Sequence, residues 1–420
     1  MANSILTPSI ITKEALRILH AQSNFLTKIN RQYDSRFAVN GAKIGTNLDV
    51  RLPNKFTVRT GSTYSAQNMV ERKVSLPVAT IKGVDCTITD TQLTMSLNDF
   101  SEQFLKPAMN QLASDIEYSA MLSMYKSVPN AVGTVSTQID YKKFQQAGQK
   151  LTENLAPSSD RTFLLNPSSR VEFSDAVKGL FQSSSNIDDQ YREGMVGRTG
   201  GFDVFENTMI PVHTTGTYGG TPLTNGATQG STGADNAYVA TSAIITDGWT
   251  VTTTVLNAGD TITFAGCYEV HPETKVSTGV LKRFVVTANT VTDGSGNSTI
   301  TVSPGVIAGG AYQNCSNRIA DGSAITVLGT SATAYGQNLA FHKDAFTFVS
   351  ADLDIPKGVD MAARERFGNI SMRFVRWFDG DAGEWKSRFD ILHGMAALYP
   401  ELACRLVHQP ERLLLLLVAS

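Results

Sequence analysis

Residues 370–406 read ISMRFVRWFDGDAGEWKSRFDILHGMAALYPELACRL. Apolar and aromatic side chains alternate with polar ones through 370–378, the mark of a strand with one buried face. Asp379-Gly380-Asp381-Ala382-Gly383 is turn chemistry, and 385–392 returns as the partner of a hairpin. Just upstream, Phe346-Thr347-Phe348-Val349 is a further strand. The C-terminal part of the chain therefore predicts an antiparallel sheet.

Moving towards the N-terminus, the composition changes sharply. Residues 214–333 carry eleven charged side chains, seven acidic and four basic, against 63 in the other 300 residues. Thr, Gly, Ser and Asn take their place. The opening, TTGTYGGTPLTNGATQGSTGADNAY, reads as a loop. Short β-branched runs follow at 249–255, 261–265, 283–287, 299–302 and 324–327. Turn chemistry such as Asn257-Ala258-Gly259-Asp260 separates them. Regular short strands of this kind predict a small β-barrel or sandwich. Both flanks have mixed α+β character, so the β unit reads as an insertion.

Ahead of it, Tyr141, Phe144, Leu151 and Leu155 form a helical stripe, residues 161–165 a buried strand, and Pro167 the first turn of a helix. Residues 182–201 read as a polar loop. The longest helical pattern is Leu97, Phe100, Phe104, Ala108, Leu112, Ile116 and Ala120, with Pro107 expected to kink or split it. Residues 47–88 alternate in short pieces around Thr60-Gly61-Ser62-Thr63. They predict a long two-stranded ribbon with little apolar content, which needs another surface to be stable. From Lys43 to Lys82 it carries seven basic residues against Asp49 and Glu71, a balance of +5. It reads as a solvated basic hairpin or as an arm lying on an acidic surface of a neighbouring copy. Nucleic acid is disfavoured by the sparse aromatics. Near the N-terminus, Ile11, Ala15, Ile18, Leu19 and Leu26 are spaced for a helix.

With 420 residues and 45.3 kDa, the chain is too long for one core, and two or three units are expected. Apolar residues make up 41% and charged residues 18%, so wholesale disorder is excluded, and the net charge of −2 excludes a nucleic-acid binder acting by bulk charge. The longest apolar run, 413–419, is too short to span a membrane. MANSILTPSI lacks the features of a secretory signal. Cys86, Cys267, Cys315 and Cys404 are scattered and read as reduced thiols.

The same pass finds no catalytic or cofactor chemistry. None of the six histidines lies near another, and there is no HExxH, GxSxG or Walker A pattern. Residues 379–384 have the alternate carboxylates of a calcium loop, but position twelve, Asp390, lies in a strand, and a charged hairpin tip is the plainer reading. Asp188-Asp189 and Asp352-Leu353-Asp354 read as surface or capping residues. No catalytic, cofactor or metal residue is assigned.

Phe389-Asp390-Ile391-Leu392-His393-Gly394, with Tyr399-Pro400-Glu401 and Ala403-Cys404-Arg405, resembles the closing strands of tailed-phage major capsid proteins of the P-twenty-two-like branch. Thr162-Phe163-Leu164-Leu165-Asn166-Pro167, the later Gly201-Phe202-Asp203-Val204, and Ala258 to Gly266 in the insert add to it, as does the order of elements. The resemblance implies an α+β chain of the Hong Kong 97 capsid fold carrying an inserted all-β barrel. Its parts would be an N-terminal arm (1–45), an extended loop (46–82), a spine helix and peripheral domain (83–137), a first axial part (138–213), the inserted barrel (214–335), a second axial and peripheral part (336–407) and a tail (408–420).

The implied function is a major capsid protein, not an enzyme. It would be made in the host bacterial cytoplasm and built into pentamers and hexamers of an icosahedral head enclosing double-stranded DNA. Implied partners are further copies of itself, a separate scaffolding protein, a portal protein and non-specifically held DNA, with room for a decoration protein and with no membrane and no cofactor. Candidate contacts between subunits are Arg51, Lys55, Arg59, Arg72 and Lys73, and candidate scaffold contacts are Lys13, Arg17, Lys28 and Arg31. The competing reading is a virion-surface or secreted glycan-binding adhesin, which needs a row of exposed aromatics. The insert offers Tyr238, Trp249, Tyr268 and Tyr312.

Overall fold

The computed structural model describes residues 7–34, 47–64, 66–87, 101–133, 139–177, 198–380 and 384–408. The architecture is mixed α and β and dominated by sheets. The chain divides into two compact units: Met1–Val50, Val74–Met121 and Phe346–Leu398 form the first, and Arg51–Lys73, Leu122–Ala345 and Tyr399–Ser420 the second.

The first unit is built on the hairpin read from the sequence. Strands Ile370–Asp379 and Glu384–Ala397 pair antiparallel, with Phe378 opposite Trp385. Met361–Phe367 adds to one side, and Phe346–Ala351 pairs with the far half of Glu384–Ala397. Asn30–Asp34 closes that end in parallel. Strand Arg72–Thr87 pairs with Glu384–Ala397 from Val78 to Thr87, and strand Asn47–Leu52 pairs with Arg72–Thr87 in turn. Gly394 is required at one register shift, because a Cβ there would lie 2.0 Å from the Pro77 carbonyl oxygen. Helix Pro8–Gln22 packs on Met361–Phe367 through Ile11, Ala15, Leu16, Ile18 and Leu19, all buried.

The long helix differs in phase from its sequence pattern. A π-helical turn, Ser101–Leu105, precedes helix Lys106–Met124. One such turn takes up an extra residue and rotates the stripe. Leu105 and Met109 are therefore buried, while Phe104 and Ala108 are half-buried. Further along, Leu112, Ile116 and Ala120 are buried as expected. Pro107 follows the π-helical turn, so the helix departs from regular α geometry where the proline supplies no N–H. Leu97 and Phe100 lie outside the described residues, as do 182–197, 381–383 and 409–420.

The second unit contains a two-stranded sheet, Thr254–Leu256 with Thr290–Val291, and two large sheets. In one, the strands run in the order Ala131–Val132, Ala403–His408, Ala334–His342, Arg161–Leu165, Phe202–Glu206 and Arg198–Thr199. Helices Tyr141–Glu153 and Pro167–Val177 accompany it. Asp140 caps the first by accepting from the Lys143 N–H at 2.8 Å. The core beneath is aromatic: the Phe144 ring lies 4.6 Å from Phe163, 4.6 Å from Phe173 and 5.4 Å from Phe202. Stacked and edge-on pairs of this kind add to the burial of their area.

The chain leaves this sheet and returns to it at one place. Strand Val212–Thr214 pairs antiparallel with Ala334–Gly336, so the outgoing and incoming segments lie side by side. Between them stands a six-stranded sheet of Ile325–Val327, Thr261–Val270, Ser277–Val286, Ser298–Ser303, Ser242–Trp249 and Gly220–Thr224 in that order. A bridge between Leu223 and Ala324 joins its two edges. Ile244, Phe264, Phe284, Ile300 and Val302 fill the interior and are fully buried. Two expectations are corrected here. The run 249–255 is not one strand: its middle, 250–253, is a turn between strands Ser242–Trp249 and Thr254–Leu256, with Thr252 at positive φ. The polar opening at 214–238 is not all loop, because Gly220–Thr224 pairs with Ser242–Trp249.

Candidate assembly surfaces

The root of the β unit holds a buried polar network. The Tyr125 hydroxyl lies 3.0 Å from His213 Nδ1, and His213 Nε2 lies 2.7 Å from Asp260 Oδ1. The other carboxylate oxygen of Asp260 accepts from the backbone N–H of Asn257 at 2.7 Å and of Gly216 at 3.1 Å. Asp260 is 1% exposed, so each acceptor it offers is used where water is absent. Arg405, from the other sheet, donates to the Gly259 carbonyl at 2.8 Å and to the Thr261 hydroxyl. Burial lowers its pKa to about 10, so it stays charged at neutral pH. Gly259 has φ +107°, and a Cβ there would meet the His213 and Tyr125 rings within 3.3 Å.

A second tie lies nearby. Glu269 bridges Lys150 of helix Tyr141–Glu153 and Lys282 of the β unit, each at 3.1 Å. Burial pushes the Glu269 carboxyl up, but the two ammonium groups outweigh it and hold it below the usual carboxylate range. Arg283 also donates to the Ala131 carbonyl.

The outer ribbon is grouped with the second unit as Arg51–Lys73. It lacks a regular ladder at its tip. The Gln67 amide replaces one, accepting from the Thr57 N–H at 2.8 Å and donating to the Thr57 carbonyl at 2.6 Å. Of the five predicted contact residues, Arg51 is exposed and 3.3 Å from Glu71, a pair that contributes little in water. Arg59 is exposed and donates to the Gly61 carbonyl. Lys55 and Lys73 are exposed. Arg72 is different: its guanidinium stacks 4.7 Å from the Tyr238 ring centre and lies 3.6 Å from Glu401 of the same chain.

Sequence reasoning credited this ribbon with charge and missed its apolar surface. Phe56, Val58, Tyr64 and Met69 are 60%, 97%, 83% and 72% exposed. Phe56 and Val58 stand two apart, at strand period, but Tyr64 and Met69 do not continue the alternation.

The four N-terminal cations separate into two pairs. Lys13 is exposed, 3.9 Å from Glu365, and Arg17 is exposed and paired with Glu14 through two hydrogen bonds of 2.7 and 2.8 Å. Lys28 and Arg31 are half-buried, and Arg31 Nη1 is buried against the protein. Lys82, also in the ribbon strand, is bound to Asp115 and Ser119 of the long helix.

Among the described residues, no three His, Cys, Asp or Glu side chains converge to hold a metal. The four cysteines are free thiols, and burial raises Cys404 to about 12 and Cys86 to about 11. Asp352 is not a surface residue: it is 2% exposed and receives Arg364, Arg366 and the Ser371 hydroxyl.

The model of the family described as P22 coat protein, gene protein 5, matches residues 27–406. A major capsid protein of Acyrthosiphon pisum secondary endosymbiont phage 1 is 22% identical over 337 residues, covering 77% of this chain and 78% of that one. Among solved structures, the mature capsid of bacteriophage PhiM1 aligns with a TM-score of 0.43 and 10% identity over 92% of this chain and 87% of its own. A chain of Mycobacterium phage Che8 aligns with a TM-score of 0.42 and 12% identity over 90% and 89%. With the family model spanning residues 27–406, the chain belongs to the P22 coat protein family, the phage major capsid proteins.

Proposed function

We propose that this capsid protein has the Hong Kong 97 fold and assembles as pentamers and hexamers of an icosahedral head around double-stranded DNA. The parts are the arm at 1–45, the extended loop at 46–82, the spine at 83–137, axial parts at 138–213 and 336–407, a β-barrel inserted at 214–335 and the tail at 408–420. The observation that carries the reading is the ribbon Arg51–Lys73, an arm with exposed Phe56, Val58, Tyr64 and Met69 beside exposed Arg51, Arg59 and Lys73. An arm of this kind has a use only against another molecule, and in a homopolymer that molecule is the next copy. Many weak contacts then add up through multivalency.

A separate scaffolding protein directs assembly in this reading. Exposed Lys13 and Arg17 are its better candidate contacts, with Lys28 and Arg31 supporting the fold around them. The portal and the packaged DNA complete the partners, the DNA held without sequence recognition. The adhesin alternative loses support from the burial of Trp249 (4% exposed) and Tyr312 (7%), which removes half of the aromatic row it needs.

Electron microscopy of the chain expressed alone and with its genomic neighbours tests the proposal. Closed shells or capsomer lattices are expected, uniform in size only with the scaffold. Small monodisperse particles in both samples would contradict it.

A further inference from the structure

We propose that a cleft in the second unit, walled by Lys55, Arg72, Lys282, Glu401, Tyr238 and Tyr399, binds a small organic phosphate. The cavity measures about 330 Å³. That is ample for a bare ion and falls at the lower end of pockets that hold organic ligands. Its charged lining is Lys55, Arg72 and Lys282 against Glu401, and because Glu269 behind the wall neutralises Lys282, a surplus of one positive charge faces the cleft, which favours an anion such as a phosphate monoester.

Arg72 is the centre of the argument. Its side chain is 10% exposed, and its Nε is buried with no hydrogen-bond partner. Glu401 lies 3.6 Å from Nη1, too far for a good hydrogen bond. The guanidinium is thus oriented by the Tyr238 ring and left short of acceptors, and its planar fork suits phosphate oxygens. A buried donor without a partner is costly, so a ligand that brings an acceptor to it gains affinity.

Its neighbours reinforce the site. Lys282 is 8% exposed and has Glu269 as an ion-pair partner at 3.1 Å. The Lys55 ammonium shares the cleft with the like charges of Arg72 and Lys282. An arriving anion would relieve that repulsion. The apolar half of the ligand has a wall as well: the Tyr238 and Tyr312 rings lie 5.3 Å apart, and Tyr399 lines the same space. A planar ring would rest there while its phosphate meets Arg72.

The test is titration of the full-length protein with adenosine monophosphate, inorganic phosphate and adenosine, followed calorimetrically. Adenosine monophosphate is expected to bind saturably with a Kd of about 1 mM or tighter, inorganic phosphate at least about tenfold more weakly, and adenosine not measurably. Arg72→Met and Lys55→Met should each weaken adenosine monophosphate at least about tenfold, while the exposed control Lys357→Met should not. Lys55 is exposed, so its variant keeps the test valid if Arg72→Met fails to fold. Absence of saturable binding, equal affinity for inorganic phosphate, or unchanged affinity in Lys55→Met would each overturn the proposal.

Discussion

Single residues decide how the inserted β unit is held. Asp260 serves His213 and two backbone N–H groups at once, in a place from which water is excluded. Removing its carboxylate strands all three donors. Asp260→Ala is expected to cost about 3 kcal/mol in chemical denaturation of the chain, and a cost below about 1 kcal/mol would remove the network from this account. His393 offers a test through pH. Burial, then the Lys82 charge, lowers its pKa from 6.5 to about 4, and its ring stacks 5.6 Å from Phe348. The folded state therefore holds it neutral. The stability this gives is complete above pH 6.5 and is lost as the pH falls through 4. The shift corresponds to about 3 kcal/mol. Unfolding midpoints at pH 7 and pH 4 should converge in His393→Phe relative to the parent, and an undiminished acid loss in that variant would assign the effect elsewhere.

Little of this residue scale was legible in the sequence. Asp260 appeared there as the last residue of a turn and, like His393 and Arg405, within a resembling stretch, and His213 as an isolated histidine. Their partners come from distant segments, and no local spacing announces a hydrogen bond between residues 213 and 260. Gly259 is the exception, since its turn chemistry was visible and its positive φ is what that turn requires.

Among the elements, strands and helices with a clear period were legible. The hairpin around residue 380, ribbon strands Asn47–Leu52 and Arg72–Thr87 and helix Tyr141–Glu153 stand where alternation or a stripe placed them, but Leu155 lies past the helix end, exposed and at positive φ, and residues 56–59 form no strand. Gly220–Thr224 was not, because its Gly and Pro content outweighs its pairing partner when the sequence is read alone. The long helix was legible in extent and not in phase, since a π-helical turn leaves no mark in composition. Pro107 gives a prediction at this scale. The π-helical turn before it already accommodates the missing N–H, so Pro107→Ala should shift stability by less than about 1 kcal/mol; a change of about 3 kcal/mol or more would mean the proline strains the helix. The ribbon gives another. Val58→Asp with Arg59→Glu alters only exposed side chains, so far-ultraviolet circular dichroism and the thermal midpoint should be unchanged while shell formation is lost. Normal shells from that variant would show that the arm's tip makes no contact between copies.

For the molecule as a whole, the charge-poor window at 214–333, the resemblance in the closing strands and the match at 27–406 all belong to one sheet-rich capsid chain. The sheet edges explain why one part of the chain can be interrupted without harm: strands Val212–Thr214 and Ala334–His342 lie side by side, so the intervening segment leaves and returns through adjacent positions. The central claim is that copies are joined by the ribbon. The most direct measurement is a cryo-electron microscopy reconstruction of assembled shells at side-chain resolution. The account predicts rings of five and six copies in which residues 51–73 of each lie against the adjacent copy, with Phe56 and Val58 covered and Arg59 facing a carboxylate. Shells in which that segment faces solvent, with those side chains uncovered, would contradict it.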